Sequence, residues 1–366
     1  MSDESNSKPD IVELAKILDT GDIIGFTRSF VDDLKKGFEH VNLDRFPWIE
    51  EISKKKWAGI ICLGMGGSAA GGDFLAALTN QNGKLPVHIQ RDYFLPSWWN
   101  ESWLVLATSH SGNTEEALSA TEIALEAGAT VVVISTGGIL AGMPEIYSRC
   151  YLIPSVGGQP PRTAFGHIFS RQLGLLRHLG VLDMPSKNED VQMLERLEIA
   201  CSGFDIINDP SGDLVELASF MESHPIAIVG PTELMPALNR FKNQLNENSA
   251  RFTRVGIIPE MNHNESVAWG GIGKDRDPSA DQQVLLFLTW DGMHKRVSHR
   301  IDWMIAHTTT DFAWKMQGEG STLLEALLHL CIVMDWVSIA LALLHGKDPG
   351  AIGPISALKD YLNSKN

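Results

Sequence analysis

Cysteine is scarce in this 366-residue chain. Cys62, Cys150, Cys201 and Cys331 stand singly, with no CxxC pair and no framework spacing, which argues against a disulfide scaffold or a structural zinc site. Positive charge is also short. The 45 acidic and 30 basic side chains leave a formal charge of −15, and no local basic stripe reverses it, so nucleic acid is not an expected partner. The first nine residues are polar and acidic and lack the basic start and apolar core of a secretory leader. No uninterrupted apolar run reaches membrane-spanning length. The longest, about Leu323 to Leu344, contains Glu325, His329, Asp335 and Ser338 and reads as a buried core helix. These absences predict a cytoplasmic protein with no membrane partner. What is present is an ordinary globular composition, 44% hydrophobic and 20% charged, at a length that suits two domains or one large α/β unit.

Apolar residues at helical spacing from Ile11 to about Val41 predict a helical lead-in. From Trp57 the texture changes to short β-branched runs, Ile60 to Leu63, Leu104 to Ala107 and Val131 to Ile134, separated by turns and helix-like segments. That alternation predicts a parallel sheet flanked by helices. A polar stretch around Pro185 to Asp190 precedes a helical pattern from Val191 to about Ile207, and the domain boundary is placed there. The second half repeats the pattern more faintly. Ile226 to Val229, closed by the turn pair Gly230-Pro231, and Val284 to Leu288 read as buried strands, with helices at Leu234 to Asn246 and Arg300 to Ala306. The segment Arg251 to Ile258 also has the makings of a strand.

Two strand-to-helix turns carry candidate chemistry. In the first, Gly64-Met65-Gly66-Gly67-Ser68-Ala69, glycines permit close backbone approach, and the amides of a new helix point at an anion. A tight connection without a ligand is the plain alternative. A dinucleotide turn is another, with Ala69 at the third glycine position and Asp92 as the ribose acid. The absence of Gly-Lys-Ser/Thr excludes a P-loop. In the second turn, Ser109, Ser111 and Thr114 place three hydroxyls beside a helix start, a cradle for one phosphomonoester, where capping alone needs a single hydroxyl.

Gly66-Gly67-Ser68 followed by Ser109-x-Ser111-Gly112-Asn113-Thr114 resembles the sugar isomerase (SIS) fold. Pro161-Arg162-x-Ala164, Asn246-Glu247-Asn248-Ser249, Pro259-Glu260-x-Asn262-His263-Asn264-Glu265, Asp348-Pro349 and Leu358-Lys359 narrow the resemblance to the bifunctional phosphoglucose/phosphomannose isomerases. It implies two SIS-like three-layer α/β domains with mainly parallel sheets, over 41–187 and 188–366, after a lead-in over 1–40. It further implies a phosphosugar substrate bound through Gly67, Ser68, Ser109, Ser111 and Thr114. The implied activity is aldose–ketose isomerisation between glucose 6-phosphate and fructose 6-phosphate, with mannose 6-phosphate as a second substrate. The resembling family is homodimeric and can contribute His263 across the subunit interface.

The chemistry of such a reaction asks for a carboxylate, an imidazole and a cation. Glu247, among short polar residues at the end of a helix-like segment, is the candidate base. His263 is the candidate for ring opening, with Glu260 and Glu265 as groups that would orient it. Arg162 is the candidate cation for an enediolate oxygen, against the alternative of an interdomain ion pair. The resemblance adds Lys359, on an amphipathic terminal helix, as an aid to ring opening. The mechanism needs no cofactor, and no metal-ligand spacing stands out. Trp98, Trp99 and Trp103 read as packing or a partner surface. A sugar-phosphate sensor without catalysis and a nicotinamide-dependent oxidoreductase are the competing readings. The first lacks a use for Glu247, His263 and Arg162 together, and the second rests on the glycine turn alone.

Overall fold

Strands that read as continuous apolar runs need cover on both faces, and the structure supplies it. The computed structural model describes residues 10–365. Its first sheet comprises β1 (Gly59–Leu63), β2 (Val87–Gln90), β3 (Trp103–Thr108), β4 (Val131–Ser135) and β5 (Cys150–Pro154), all parallel, in the order β2-β1-β3-β4-β5. A second parallel sheet comprises β6 (Ile226–Pro231), β7 (Thr253–Ile258), β8 (Val284–Trp290) and β9 (Ala313–Gly318), in the order β7-β6-β8-β9. In each sheet the chain reverses its direction of growth beside the first strand, between β1 and β3 and between β6 and β8. Ligands of open α/β sheets bind outside the carboxyl ends of strands at such a switch point.

Alternation along each strand distributes the core. Ile60, Cys62, Leu104, Leu106 and Val132 face inward with Ile226, Ile228, Leu286 and Leu288 in one continuous core shared by the two sheets. Ile61, Leu63, Val105 and Val133 point the other way into a core of their own, as do Ala227, Val229, Leu285 and Phe287 in the second sheet. The shared core is filled by helices Gly66–Asn82, Phe165–His178, Met235–Ser249 and Leu323–Leu344. Leu323–Leu344 is almost wholly enclosed, so its hydrophobicity serves the core of an α/β molecule.

Several boundaries differ from the sequence reading, each for a local reason. Gly230 and Pro231 do not turn the chain: they pair with Ile257 and Ile258 as the last residues of β6. The polar stretch before 191 belongs to the next helix, Lys187–Gly203, whose start is fixed by a reciprocal capping box between Ser186 and Glu189. The lead-in is helical but divided into Ile11–Leu18, Ile23–Arg28 and Phe30–His40, with Asp19 accepting from the amides of Ile23 and Ile24 at the first break. Residues 1–9 lie outside the described part. Strands β2, β5 and β9 escaped the sequence reading because all three are sheet edges that are only partly buried. Trp103 packs over Gly59, and Trp98 meets His88 and Trp103 with ring centroids 5.0 Å from each, so this tryptophan group is chiefly packing. All four cysteines are buried and unpaired.

Candidate active site

The turns after β1 and β3 lie side by side at the switch point of the first sheet, because their parent strands are neighbours. Ser68, in the first turn of Gly66–Asn82, accepts the amide of His110 at 3.1 Å and so joins the two turns. Its own hydroxyl proton is left for another acceptor. Thr114 is the N-cap residue of helix Glu115–Glu126, yet its hydroxyl makes no capping bond and meets Ser109 Oγ at 2.9 Å. The plain capping reading therefore fails here. Ser109 is fully buried and also accepts from Gly112 N at 3.1 Å, while Ser111 is exposed and accepts from Asn113 N at 3.3 Å. Gly112, with φ of 71°, adopts a backbone conformation that L side chains rarely take, and a Cβ there would strike the Gly137 carbonyl.

The glycine turn touches the next component directly. A Cβ on Gly67 would stand 3.0 Å from the Pro161 carbonyl and 3.2 Å from Arg162 Cα, so only glycine lets these segments meet without adjustment. Arg162 then crosses to the second half of the chain: Nε donates to Asn248 Oδ1 at 2.7 Å and Nη2 to the Pro349 carbonyl at 2.5 Å. Its Nη1 is buried without a hydrogen-bond partner and lies 3.7 Å from Glu247 Oε2. The geometry holds the guanidinium by two nitrogens and leaves the third facing the carboxylate.

Glu247 is on the last turn of Met235–Ser249, half-buried beside this cation. Burial raises its pKa above the ordinary carboxylate range, against the opposing charges of Arg162, Arg240, Lys347 and Lys359. That combination suits a carboxylate that must accept and return a proton near neutral pH. Neighbouring Asn248 donates to Ser338 Oγ at 2.9 Å, and Ser338 donates in turn to the Asp335 carbonyl at 2.8 Å. Asp335 accepts from both terminal nitrogens of Arg240, at 2.6 and 2.8 Å, and from Gln244 at 2.7 Å. Burial opposes the charge on Arg240, and the Asp335 carboxylate more than offsets it.

Lys347 was missed in the sequence, although it directly precedes Asp348-Pro349. Its ammonium donates to the carbonyls of Glu247, Asp348 and Ala351, each at 2.9 Å, and so fixes the tail loop to the end of the Glu247 helix. Lys359 is exposed on helix Gly353–Asn363, near enough for its charge to act on Glu247. His110 was also missed: its Nε2 lies 3.0 Å from the Gln159 carbonyl, and Gln159 Nε2 donates to Asp33 Oδ2 at 2.8 Å. Burial lowers the His110 pKa, which favours neutral imidazole. The segment leading to Arg162 is thereby tied to both the turn after β3 and the lead-in.

His263 stands apart from this assembly. It is exposed at the end of the short helix Glu260–His263, and no described contact links it to Glu247 or Arg162. Neither flanking acid orients it: Glu265 pairs with Arg254 at 3.0 Å, and Glu260 accepts from Asn264 at 3.4 Å. The structure thus gathers the hydroxyl turns, Arg162 and Glu247, and leaves His263 facing outward.

Two parallel sheets with hydroxyl-rich turns at a switch point define an SIS-type α/β protein. Solved structures share that fold: the C-terminal domain of glucosamine-fructose-6-phosphate aminotransferase from Francisella tularensis aligns with a TM-score of 0.70 at 11% identity, covering 89% of this chain and 97% of that one. Tagatose-6-phosphate ketose/aldose isomerase from Escherichia coli aligns with a TM-score of 0.64 at 16% identity, covering 90% and 95%. In sequence, residues 213–362 match the bacterial phospho-glucose isomerase C-terminal SIS domain. The bifunctional phosphoglucose/phosphomannose isomerase of Aquifex aeolicus is 31% identical over 87% of this chain and 95% of its own length. That of Caldicellulosiruptor bescii is 31% identical over 86% and 90%. The chain belongs to the bifunctional phosphoglucose/phosphomannose isomerase family.

Proposed function

We propose that this protein is a metal-independent aldose–ketose isomerase interconverting glucose 6-phosphate and fructose 6-phosphate, and mannose 6-phosphate with fructose 6-phosphate. The observation that carries the reading is Glu247 Oε2 beside the unpartnered Arg162 Nη1, next to two anion-suited turns. The phosphate sits on the turns of Gly67, Ser68, Ser109, Ser111 and Thr114. In the open-chain aldose, Glu247 takes the C2 proton as the C2–H electron pair forms the C1–C2 double bond and the carbonyl π pair moves to O1. Arg162 stabilises the resulting enediolate oxygen. The O2 proton passes to O1, and Glu247 then returns its proton to C1 as the O2 electron pair forms the C2 carbonyl and the C1–C2 π pair forms the new C1–H bond.

His263 serves ring opening from a second copy of the chain in a homodimer, which accounts for its outward position, and Lys359 assists from the terminal helix. The lead-in over 1–40 and the domains over 41–187 and 188–366 complete the proposal; each sheet lies within one proposed domain. A cytoplasmic location suits a substrate whose phosphate charge keeps it from crossing membranes.

Incubating the purified protein with fructose 6-phosphate, with and without a chelator, and identifying the aldoses formed tests the reaction. Glucose 6-phosphate and mannose 6-phosphate are expected in both arms. Binding without turnover favours a regulatory sugar-phosphate protein, and activity lost to the chelator overturns metal independence.

A further inference from the structure

The second sheet carries a cleft that shares no lining residue with the proposed isomerase machinery, although Asn262 on its wall immediately precedes His263. It has a volume of about 510 Å³, within the roughly 300–1,000 Å³ of small-molecule sites, and is lined by Asn262, Ser266, Arg296, His299, Arg300 and Trp303. One wall is the segment after β7, and the other is helix Lys295–His307 after β8. Both walls pack on the same outer core of the second sheet, and the cleft lies between them on that face. Its helix is the topological counterpart of Glu115–Glu126 in the first sheet, since β8 adjoins β6 as β3 adjoins β1.

The charges in this cleft are arranged against the stability of the empty protein. Lys295 and Arg296 occupy the first turn of their helix, where cations oppose the dipole, and Arg296 and Arg300 are like charges four residues apart. In a chain of net charge −15, neither arginine side chain has a described acidic partner. The acids on the two walls are engaged elsewhere: Asp302 with Lys315 at 3.6 Å, Glu265 with Arg254 at 3.0 Å and Glu260 with Asn264 at 3.4 Å. The amide oxygen of Asn262 is buried without a hydrogen-bond partner and, as an acceptor, suits a hydroxyl or amine of a ligand's organic part, not its phosphate. Trp303 stacks on His307 at 4.5 Å and 15° yet stays 45% exposed, offering an apolar plane one turn beyond Arg300.

We propose that this cleft is a second ligand site for an organic phosphate monoester, its dianion held between Arg296 and Arg300 and its ring laid against Trp303. Two guanidinium groups match a phosphate's spread of oxygens, and an aromatic face takes either a sugar or a base. The site is separate from Glu247 and holds whether or not the isomerase assignment does.

Titration of the full-length protein with adenosine monophosphate, fructose 6-phosphate and inorganic phosphate, by calorimetry and tryptophan fluorescence, tests it. Adenosine monophosphate, or fructose 6-phosphate at a second site beyond the isomerase site, is expected to bind saturably and more tightly than inorganic phosphate, and the comparison identifies whether a base or a sugar ring is preferred. Arg296→Ala and Arg300→Ala should each weaken that binding by about tenfold or more, and Trp303→Phe should remove its fluorescence change. Arg296 is exposed and Arg300 half-buried, and no described contact links either to Glu247 or Arg162, so basal turnover should be unchanged in their variants. Ester binding that is insensitive to both arginines, or no tighter than that of inorganic phosphate, overturns the proposal. So does an effect of the arginine variants on oligomeric state alone.

Discussion

Replacing Asp335 with asparagine removes one charge from the interior without removing volume. Asp335 and Arg240 side chains are 8% and 5% exposed, and the carboxylate accepts three hydrogen bonds, two from Arg240 and one from Gln244. The asparagine oxygen keeps part of this set, but its amide NH₂ meets donors where the carboxylate offered acceptors. Arg240 is left as a buried cation without its carboxylate, in contact with the Phe165 ring, 4.7 Å from its guanidinium carbon, the Cys331 thiol and, through a long bond, the Arg162 carbonyl. Breaking such a pair typically costs about 3–5 kcal/mol, a large part of the roughly 5–15 kcal/mol that holds a domain together. The exposed pair Lys16–Glu13 is the internal control, since a surface ion pair contributes about 0–1 kcal/mol. Urea unfolding of Asp335→Asn, Glu13→Gln and the double variant Arg240→Met/Asp335→Leu separates the terms. Asp335→Asn should be the least stable of the three, and the double variant should regain part of the loss because no buried charge remains. If Asp335→Asn unfolds at the same urea concentration as Glu13→Gln, the buried pair is not holding this region and the reasoning fails.

Glu247→Gln should reduce turnover by about 10²–10⁴-fold with little change in substrate affinity, and near-normal isomerisation would move the base elsewhere, with Glu260 and Glu265 next to be mutated. In the unaltered enzyme the base must be ionised, so activity should decline on acidification through the raised Glu247 pKa, at a higher pH than for an ordinary carboxylate; a kcat/KM profile that stays flat down to the usual carboxylate range contradicts this. Ser109→Ala/Thr114→Ala should lose phosphosugar affinity while the thermal midpoint shows a folded protein, and unchanged calorimetric affinity would take these turns out of the site. His263→Ala should slow reaction of the cyclic sugar more than C2-proton exchange in an open-chain analogue, and equal losses on both would count against a ring-opening role.

The parts of the fold legible in the sequence are those where one physical demand dominates. β1, β3, β4, β6 and β8 are buried on both faces, so their apolar runs announce them. Edge strands such as Ala313–Gly318 mix Lys315 and Gln317 with apolar residues and carry no comparable signal. The two hydroxyl-rich turns were readable because their glycines and hydroxyls fall within a few residues of each other. The support behind Arg162 was not, since Asn248, Ser338 and the Pro349 carbonyl come from three distant segments. Its clue was nevertheless visible: Asp335 and Ser338 interrupt an otherwise apolar helix, and a carboxylate retained in such surroundings requires a buried partner. Lys347 left no such clue, because its role is to donate to backbone carbonyls, which any sequence supplies.

The placement of Arg162 and Glu247 also shows why neither half of the chain contains the site. Arg162 follows the segment tied to His110 of the first sheet, yet both of its short hydrogen bonds go to the second half. Glu247 ends a second-half helix that fills the core shared by both sheets. The lead-in braces this junction at two points: Asp33 binds Gln159 and His167, and Thr20 donates to Asp348 at 2.6 Å, beside the Pro349 carbonyl that receives Arg162. The proposed base and its neighbouring cation, 3.7 Å apart, have to be fixed independently of substrate, since small displacements of a reacting group slow the chemistry steeply. Here that rigidity comes from buried polar contacts between segments far apart in sequence. The three N-terminal helices are therefore part of the framework of the site, although none of their residues carries the chemistry.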